Sequence, residues 1–342
     1  SLDHDNIHIN LIDTPGMPDF IGQAIASFPA VETVAVVVNA EEGVELVSRR
    51  MLEWAAESKL CRLIIVNRID GEGVDLPGLV ASIREEFGAE CLPINLPAGD
   101  GARVVDCFYQ PDGDADFSSV ADAHSTIIDQ VVEVDEELME LYLEQGQELK
   151  AEQLHDPFEQ ALREGHLVPI CFTSATTGAG IPELLSLCER LMPNPLEGNP
   201  RPFQIGEGEA ATDFAAEPDP DKHVVAHVFK VLADPFVGKL GIFRIHQGTV
   251  TKDKQLYIND GRKPFRVAHL FKLQGKEQVE VDAGIPGDIC AVAKVDGLHF
   301  DAVLHDSHEE DYLHLVPLPF PVPIFGLAIL PKERGDEQRL SN

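Results

Sequence analysis

The run Ile7-His8-Ile9-Asn10-Leu11-Ile12 alternates apolar and polar residues and then breaks into Asp13-Thr14-Pro15-Gly16, and this junction constrains the fold more than anything else in the 342-residue chain. Such alternation reads as a half-buried strand. In an α/β sheet the loops at the strands' carboxyl ends are where ligands bind. A short carboxylate there can hold Mg²⁺ through water while a glycine amide just beyond senses a γ-phosphate. Asp13 and Gly16 are the candidates for those two roles. No G-x-x-x-x-G-K-[ST] phosphate loop occurs anywhere in the chain, although a site of this kind needs one. The sequence therefore reads as a nucleotide switch without its phosphate loop and first switch. Asp, Thr, Pro and Gly are also ordinary turn formers, so the tetrapeptide gains weight only from its context.

Two further strand-end motifs supply that context. Leu63-Ile64-Ile65-Val66 runs into Asn67-Arg68-Ile69-Asp70. Cys171-Phe172 runs into Thr173-Ser174-Ala175, with Gly178 and Gly180 ahead of a helical run from about Pro182. Asn67 and Asp70 have the spacing of the guanine-reading Asn-Lys-x-Asp pattern, with Arg68 in place of the lysine. A buried carboxylate at Asp70 accepts from the N1 and N2 donors of guanine, a pair that adenine lacks, and so selects the base. Asn67 is expected to tie neighbouring loops together, and the flat Arg68 guanidinium to lie on the purine face. Ser174 and Ala175 are small enough for the main chain to approach, so the Ala175 N–H is the expected donor to the base oxygen. GTP or GDP with Mg²⁺ is the cofactor that these residues point to.

The organisation along the chain fits an α/β fold of the doubly wound GTPase type, incomplete at its N-terminus, followed by an antiparallel β-barrel. Strands are expected at Ile7 to Ile12, Thr33 to Val38 and Leu63 to Val66, and helices at Val47 to Ser58 and Leu79 to Phe87. The stretch from Asp70 to Ser174 exceeds one βαβ unit. An inserted subdomain at about 90–165 is expected there, with a strand at Val104 to Tyr109 and an acidic helix at Asp135 to Gln145. The nucleotide-binding unit then occupies 1–192. Residues 193–221, rich in Pro, Gly, Ala and acid, read as a linker with little core of its own. Short strands at Val224 to Val231, Leu240 to Gln247, Lys254 to Ile258, Phe265 to Lys272 and Ile289 to Val295 make a small barrel over 222–310.

The net charge of −33 argues at first against a nucleic-acid partner, but its distribution matters. Residues 1–221 hold 11 Lys plus Arg against 43 Asp plus Glu, whereas residues 222–304 hold 12 against 9, so the acid lies almost wholly in the first unit. Solubility accounts for such a surface, as does an acidic face meeting basic proteins. No apolar run is long enough to span a bilayer, and no signal-like segment opens the chain. Six scattered cysteines without C-x-x-C spacing read as small core residues in a reducing compartment. No membrane and no DNA partner is expected, and the expected location is the cytoplasm.

These motifs, with Asn39 to Glu45 (NAEEGVE) and Phe229 to Thr249 (FKVLADPFVGKLGIFRIHQGT), resemble the translational GTPases of the elongation factor G family, in particular its divergent second copies. The resemblance implies GTP binding, action on the ribosome in elongation and translocation, an extra subdomain within the GTPase unit, and the opening of a third domain at residues 311–342, with the run PIFGLAILPKERGDEQRLSN. It also implies contacts to ribosomal RNA and ribosomal proteins, with Lys239, Arg244 and Lys263 as phosphate neighbours. Family members follow the Asp-Thr-Pro-Gly turn with a histidine that orients the attacking water. Here Met17 stands in that position, followed by Pro18. A thioether cannot donate a proton and accepts weakly, so no catalytic residue is assigned. Two readings stand: hydrolysis is slow or lost and the protein is a nucleotide-gated ribosome binder or regulator, or another group or the ribosome supplies the missing function.

Overall fold

Leu2–His4 (β1) and Ile7–Ile9 (β2) pair antiparallel across Asp5 and Asn6, both in the left-handed region. The structure, a computed structural model, describes residues 1–145, 149, 151–199, 203–206, 208–234, 238–318, 320–322 and 325–332. The strand expected over Ile7 to Ile12 is thus shorter, and among the described residues β2 pairs only with β1. Beyond Ile9 the run finds no ladder partner among them, and Leu11 is exposed. Asp13 therefore sits four residues past the strand end, in an extended segment leading through the turn Pro18–Phe20 into Ile21–Ser27 (α1).

A parallel sheet forms the centre of the first unit. Thr33–Asn39 (β3) pairs in register with Cys61–Asn67 (β4). Leu46–Glu57 (α2) connects them, and Met51, Leu52 and Ala55 on its inner face are buried. These strands are near-continuous β-branched and aliphatic runs because helices cover them. Val37, at 59% exposure on the edge strand β3, shows where that cover stops. Leu76–Phe87 (α3) follows, capped by the Asp75 carboxylate accepting from the Gly78 N–H at 2.9 Å.

The stretch between β4 and the last sheet strand carries its own elements. Cys91–Pro93 (β5) adds to the sheet edge, and Asn95–Ala98 (β6) with Arg103–Asp106 (β7) makes an antiparallel hairpin. Val120–Val132 (α4), Glu136–Gln145 (α5) and Ala151–Glu164 (α6) follow. Ile127, Ile128, Phe108 and Phe158 join the same core as the sheet. Val168–Phe172 (β8) then inserts between β4 and β5, giving the order β3-β4-β8-β5, and Ile181–Arg190 (α7) closes the unit. All six cysteines are free, and five are buried. Burial pushes the Cys91, Cys107 and Cys290 thiols up to about 12, so they serve as inert core residues.

Residues 193–221, expected as a linker with little core of its own, carry two short strands and lend one ring to the core of the second unit. Phe203–Ile205 (β9) pairs with Thr212–Phe214 (β10), and Phe203 is fully buried against Val225, Val303, Leu313 and Leu315. An aromatic ring among the Pro and Gly residues was enough to anchor the segment to the second unit.

The second unit is an eight-stranded antiparallel sheet. In chain order its strands are Val225–Asp234 (β11), Gly238–Gln247 (β12), then, after the short Val250–Thr251 (β13), Gln255–Ile258 (β14), Phe265–Arg266 (β15), Leu270–Gln274 (β16) and Glu277–Val281 (β17). After Ala283–Gly284 (β18) come Ile289–Ala293 (β19) and Val303–His305 (β20), and Leu313–Leu315 (β21) pairs back on β9. The single strand expected at Phe265 to Lys272 is broken into β15 and β16. The sheet curls so that Leu256 and Leu270, from strands near its two ends, share one core with Phe243. In the Asp234 to Lys239 turn, residues 235–237 lie outside the described residues. Beyond β21, residues 325–332 form no strand, and Phe325, Leu327, Ile329 and Leu330 are exposed.

Among the described residues the two units meet through an apolar patch, a hydrogen bond from Asn10 Nδ2 to the Gly287 carbonyl at 3.2 Å, and a buried cation. Ala30 and Ile12 of the first unit pack on Phe229, Leu240, Ile242 and Ala291 of the barrel. Arg244, expected as a phosphate neighbour of RNA, is instead 4% exposed. It donates from Nη1 to the Ala30 carbonyl at 3.0 Å and from Nη2 to Glu32 Oε1 at 2.7 Å. Alternation along β12 turns Arg244 toward the first unit, where a carboxylate waits for it. Lys239 and Lys263 are exposed as expected.

Candidate functional site

The second and third motifs meet at the carboxyl ends of β4 and β8, which pair directly. Asn67, the last residue of β4, accepts the Ala175 N–H on Oδ1 at 2.9 Å and the Thr173 hydroxyl at 3.4 Å. The main chains are stitched as well: the Thr173 N–H reaches the Val66 carbonyl at 2.8 Å and the Ile69 N–H reaches the Thr173 carbonyl at 3.3 Å. Asn67 therefore ties the two loops together, the geometry its position suggested. The Ala175 N–H, expected to stand free for a base oxygen, is engaged by Asn67.

Ser174 is fully buried, its hydroxyl accepting from the Thr177 N–H at 3.2 Å while its own N–H donates to the Ala179 carbonyl at 2.8 Å. The third motif is thus a closed turn. Gly180 seals it, since a Cβ there would lie 2.1 Å from the Phe172 carbonyl oxygen.

Arg68 adopts a left-handed backbone with φ 66°. Its guanidinium reaches outward, 3.6 Å from Glu41. Asp70 is exposed, not buried as the base-reading argument assumed, and its carboxylate has no hydrogen-bond partner among the described residues. An exposed acceptor of this kind is ready for a ligand's donors, and burial would have to come from the ligand itself.

The first motif stands apart from this network. Asp13, Thr14, Pro15 and Gly16 line a cavity of about 570 Å³ together with Thr33 to Val37 of β3, the end strand of its sheet among the described residues. Asp13 and Gly16 are exposed, and a Cβ at Gly16 would meet nothing within 4 Å. Met17 is 62% exposed at the start of the Pro18–Phe20 turn. Met17 is not among the residues that line this cavity, and a thioether has no proton to donate to a water. An exposed carboxylate beside the Thr14 hydroxyl suits a hard cation that takes most of its oxygens from water and phosphate.

Two features of this region were not legible from local sequence. The β6–β7 hairpin reaches the loops that follow β4 and β8, and the segment after the first motif is clamped to the barrel by Arg244. Both depend on residues distant in sequence, Asn95 with Phe172 and Arg244 with Glu32, and no local pattern signals such pairs.

Comparison with known proteins follows the same division. The family described as Elongation factor Tu GTP binding domain matches residues 1–194, and that described as Elongation factor G domain 2 matches residues 223–304. An elongation factor G-like protein of Mycobacterium tuberculosis (strain CDC 1551 / Oshkosh) is 28% identical over 370 residues, covering 100% of this chain and 51% of that protein. Elongation factor G of Fervidobacterium nodosum is 30% identical over 353 residues, covering 97% of this chain and 50% of that protein. A crystal structure of a Thermus thermophilus protein superposes with a TM-score of 0.76 at 29% identity, covering 96% of this chain and 48% of that one. The chain spans about half the length of these relatives.

Proposed function

Because the chain belongs to the elongation factor G family of translational GTPases, we propose that its protein binds GTP or GDP with Mg²⁺ and acts on the ribosome during elongation. The observation that carries the reading is the Asn67–Ala175 link, which makes the second and third motifs one receptor for a planar base. Asp70 accepts from guanine N1 and N2, and the Ala175 N–H, shared with Asn67, faces the base oxygen. Arg68 swings from Glu41 to cover the purine, and Ser174 holds the turn behind it. Asp13 holds Mg²⁺ through water, the ion neutralising phosphate charge, while the Gly16 amide reports the γ-phosphate.

The ribosome is the partner, with exposed Lys239 and Lys263 near RNA phosphates and the acidic first unit facing basic ribosomal proteins. The site of action is the cytoplasm; among the described residues no helix is long and apolar enough to cross a membrane. The exposed Met17 favours a second reading within this family, a hydrolysis-impaired regulator in which nucleotide sets conformation alone.

Asp70→Asn in the full-length protein tests base reading. An amide pairs with the altered donor pattern of xanthine, so preference shifts from GTP toward XTP. A variant that keeps its GTP preference in competition binding removes Asp70 as the base reader.

A further inference from the structure

The β6–β7 hairpin touches both base-reading loops at once. At its root Asn95, 1% exposed, donates from Nδ2 to the Phe172 carbonyl at 3.3 Å and accepts the Phe172 N–H on Oδ1 at 2.7 Å. Phe172 is the last residue of the strand that feeds the Thr173–Ala175 loop. At its tip Gly101, buried with φ 74°, lies flat against the Ile69–Asp70 peptide. A Cβ built there would sit 2.4 Å from the Ile69 carbonyl oxygen, 2.9 Å from its carbon and 3.4 Å from the Asp70 nitrogen. The tip is held in turn by Asp116, whose Oδ2 accepts the Gly101 N–H at 3.0 Å and whose own N–H donates to the Pro97 carbonyl at 2.8 Å.

We infer that this hairpin is a brace that sets the position of Asp70 for guanine recognition, with Gly101 as its positioning residue. The inference rests on the guanine-binding reading above. The Asp70 carboxylate has no partner among the described residues, so its place is decided by its backbone, and that backbone abuts Gly101. Only glycine permits the approach, both for the left-handed φ and for the missing Cβ. Asn95 fixes the other end to the Ala175 loop, so one rigid hairpin sets the spacing between the two sides of the base site.

The guanine 2-amino group reports Asp70 directly, because inosine triphosphate lacks it while keeping the phosphates and the rest of the purine. In the full-length protein, GTP should bind at least about tenfold more tightly than ITP, as expected for a hydrogen bond to a charged acceptor. Competition against a fluorescent GDP analogue measures the ratio. Gly101→Ala should collapse it toward one by displacing the Ile69–Asp70 peptide. Gly99→Ala carries the same left-handed strain, with φ 67°, yet its Cβ would meet only the Ala102 Cβ at 4.0 Å, so it should keep the wild-type ratio. Asp116→Ala, near the surface, releases the tip without a clash and should lower the ratio several-fold with little change in melting temperature, a readout that stands even if Gly101→Ala fails to fold. A wild-type ratio in a folded Gly101→Ala protein or in Asp116→Ala overturns the brace, as does an equal loss in Gly99→Ala. A wild-type protein that does not distinguish GTP from ITP overturns the guanine reading beneath it, and the brace with it.

Discussion

Removing Glu32 from beneath Arg244 is the sharpest test of how the two units are joined. The Arg244 side chain is 5% exposed, and Glu32 at 2.7 Å is the one carboxylate paired with it among the described residues. Its Nε has no partner there, and the Ala30 carbonyl satisfies only Nη1. Glu32→Ala therefore leaves a buried guanidinium with one neutral acceptor. Stranding a buried charge costs about 3–5 kcal/mol. Glu32 is itself 19% exposed, so water can enter the vacated space, and the lower end, about 3 kcal/mol, is the expected loss. Arg244→Met leaves the better solvated partner and should cost about 1–2 kcal/mol. The double variant should cost little more than Arg244→Met alone, giving a coupling close to the Glu32→Ala loss, about 3 kcal/mol, in the cycle. Urea unfolding followed by fluorescence of Trp54, the single tryptophan, reports the first unit, and far-ultraviolet circular dichroism reports both. Because the clamp joins Ala30 and Glu32 to the barrel, the two transitions should also separate in Glu32→Ala. A coupling under about 0.5 kcal/mol, the range of an exposed pair, would refute the argument.

Glu159 of α6 carries a pH dependence. Burial first, and then the neighbouring Glu197 carboxyl, push its pKa up from 4.5 to about 7. The folded state holds that proton more tightly than the unfolded state does, so stability falls as pH rises from about 4.5 through 7 and the loss is complete above that. Glu159→Gln should accordingly stabilise the chain by about 1–2 kcal/mol at pH 8 and change little at pH 5, and equal effects in urea melts at both pH values would contradict it. Met17→His in the full-length protein should raise ribosome-stimulated GTP hydrolysis by about 10²-fold in single-turnover assays. A wild-type rate already matching ordinary family members, or no gain in the variant, would show that the catalytic group lies elsewhere.

What the sequence could show was whatever repeats at short range. The aliphatic runs around Ile64 and Phe172, the helical spacing of Met51, Leu52 and Ala55, and the Asn67–Asp70 interval are local patterns, and the strands and helices followed from them, whereas the pairing of β4 with β8 decided that Asn67 would meet the Ala175 N–H. The Ile7 to Ile12 run looked the same locally, but a strand needs a hydrogen-bonding neighbour, and beyond Ile9 none of the described residues provides one. Its length was therefore decided by tertiary pairing.

Exposure and partnership were likewise decided in three dimensions. Arg244 and Lys263 are both barrel cations in the sequence, yet the turn of β12 toward the first unit buries one on Glu32 while the other faces solvent. Phe203 sits in a stretch rich in Pro and Gly, and only its burial on Val225 and Leu313 revealed a core there. Gly101 reads as an ordinary hairpin glycine, and its contact with the Ile69–Asp70 peptide depends on where the hairpin folds over the sheet. The chemistry of each residue was written locally; which other residue it would meet depended on contacts between segments far apart in the chain, and no periodicity encodes those.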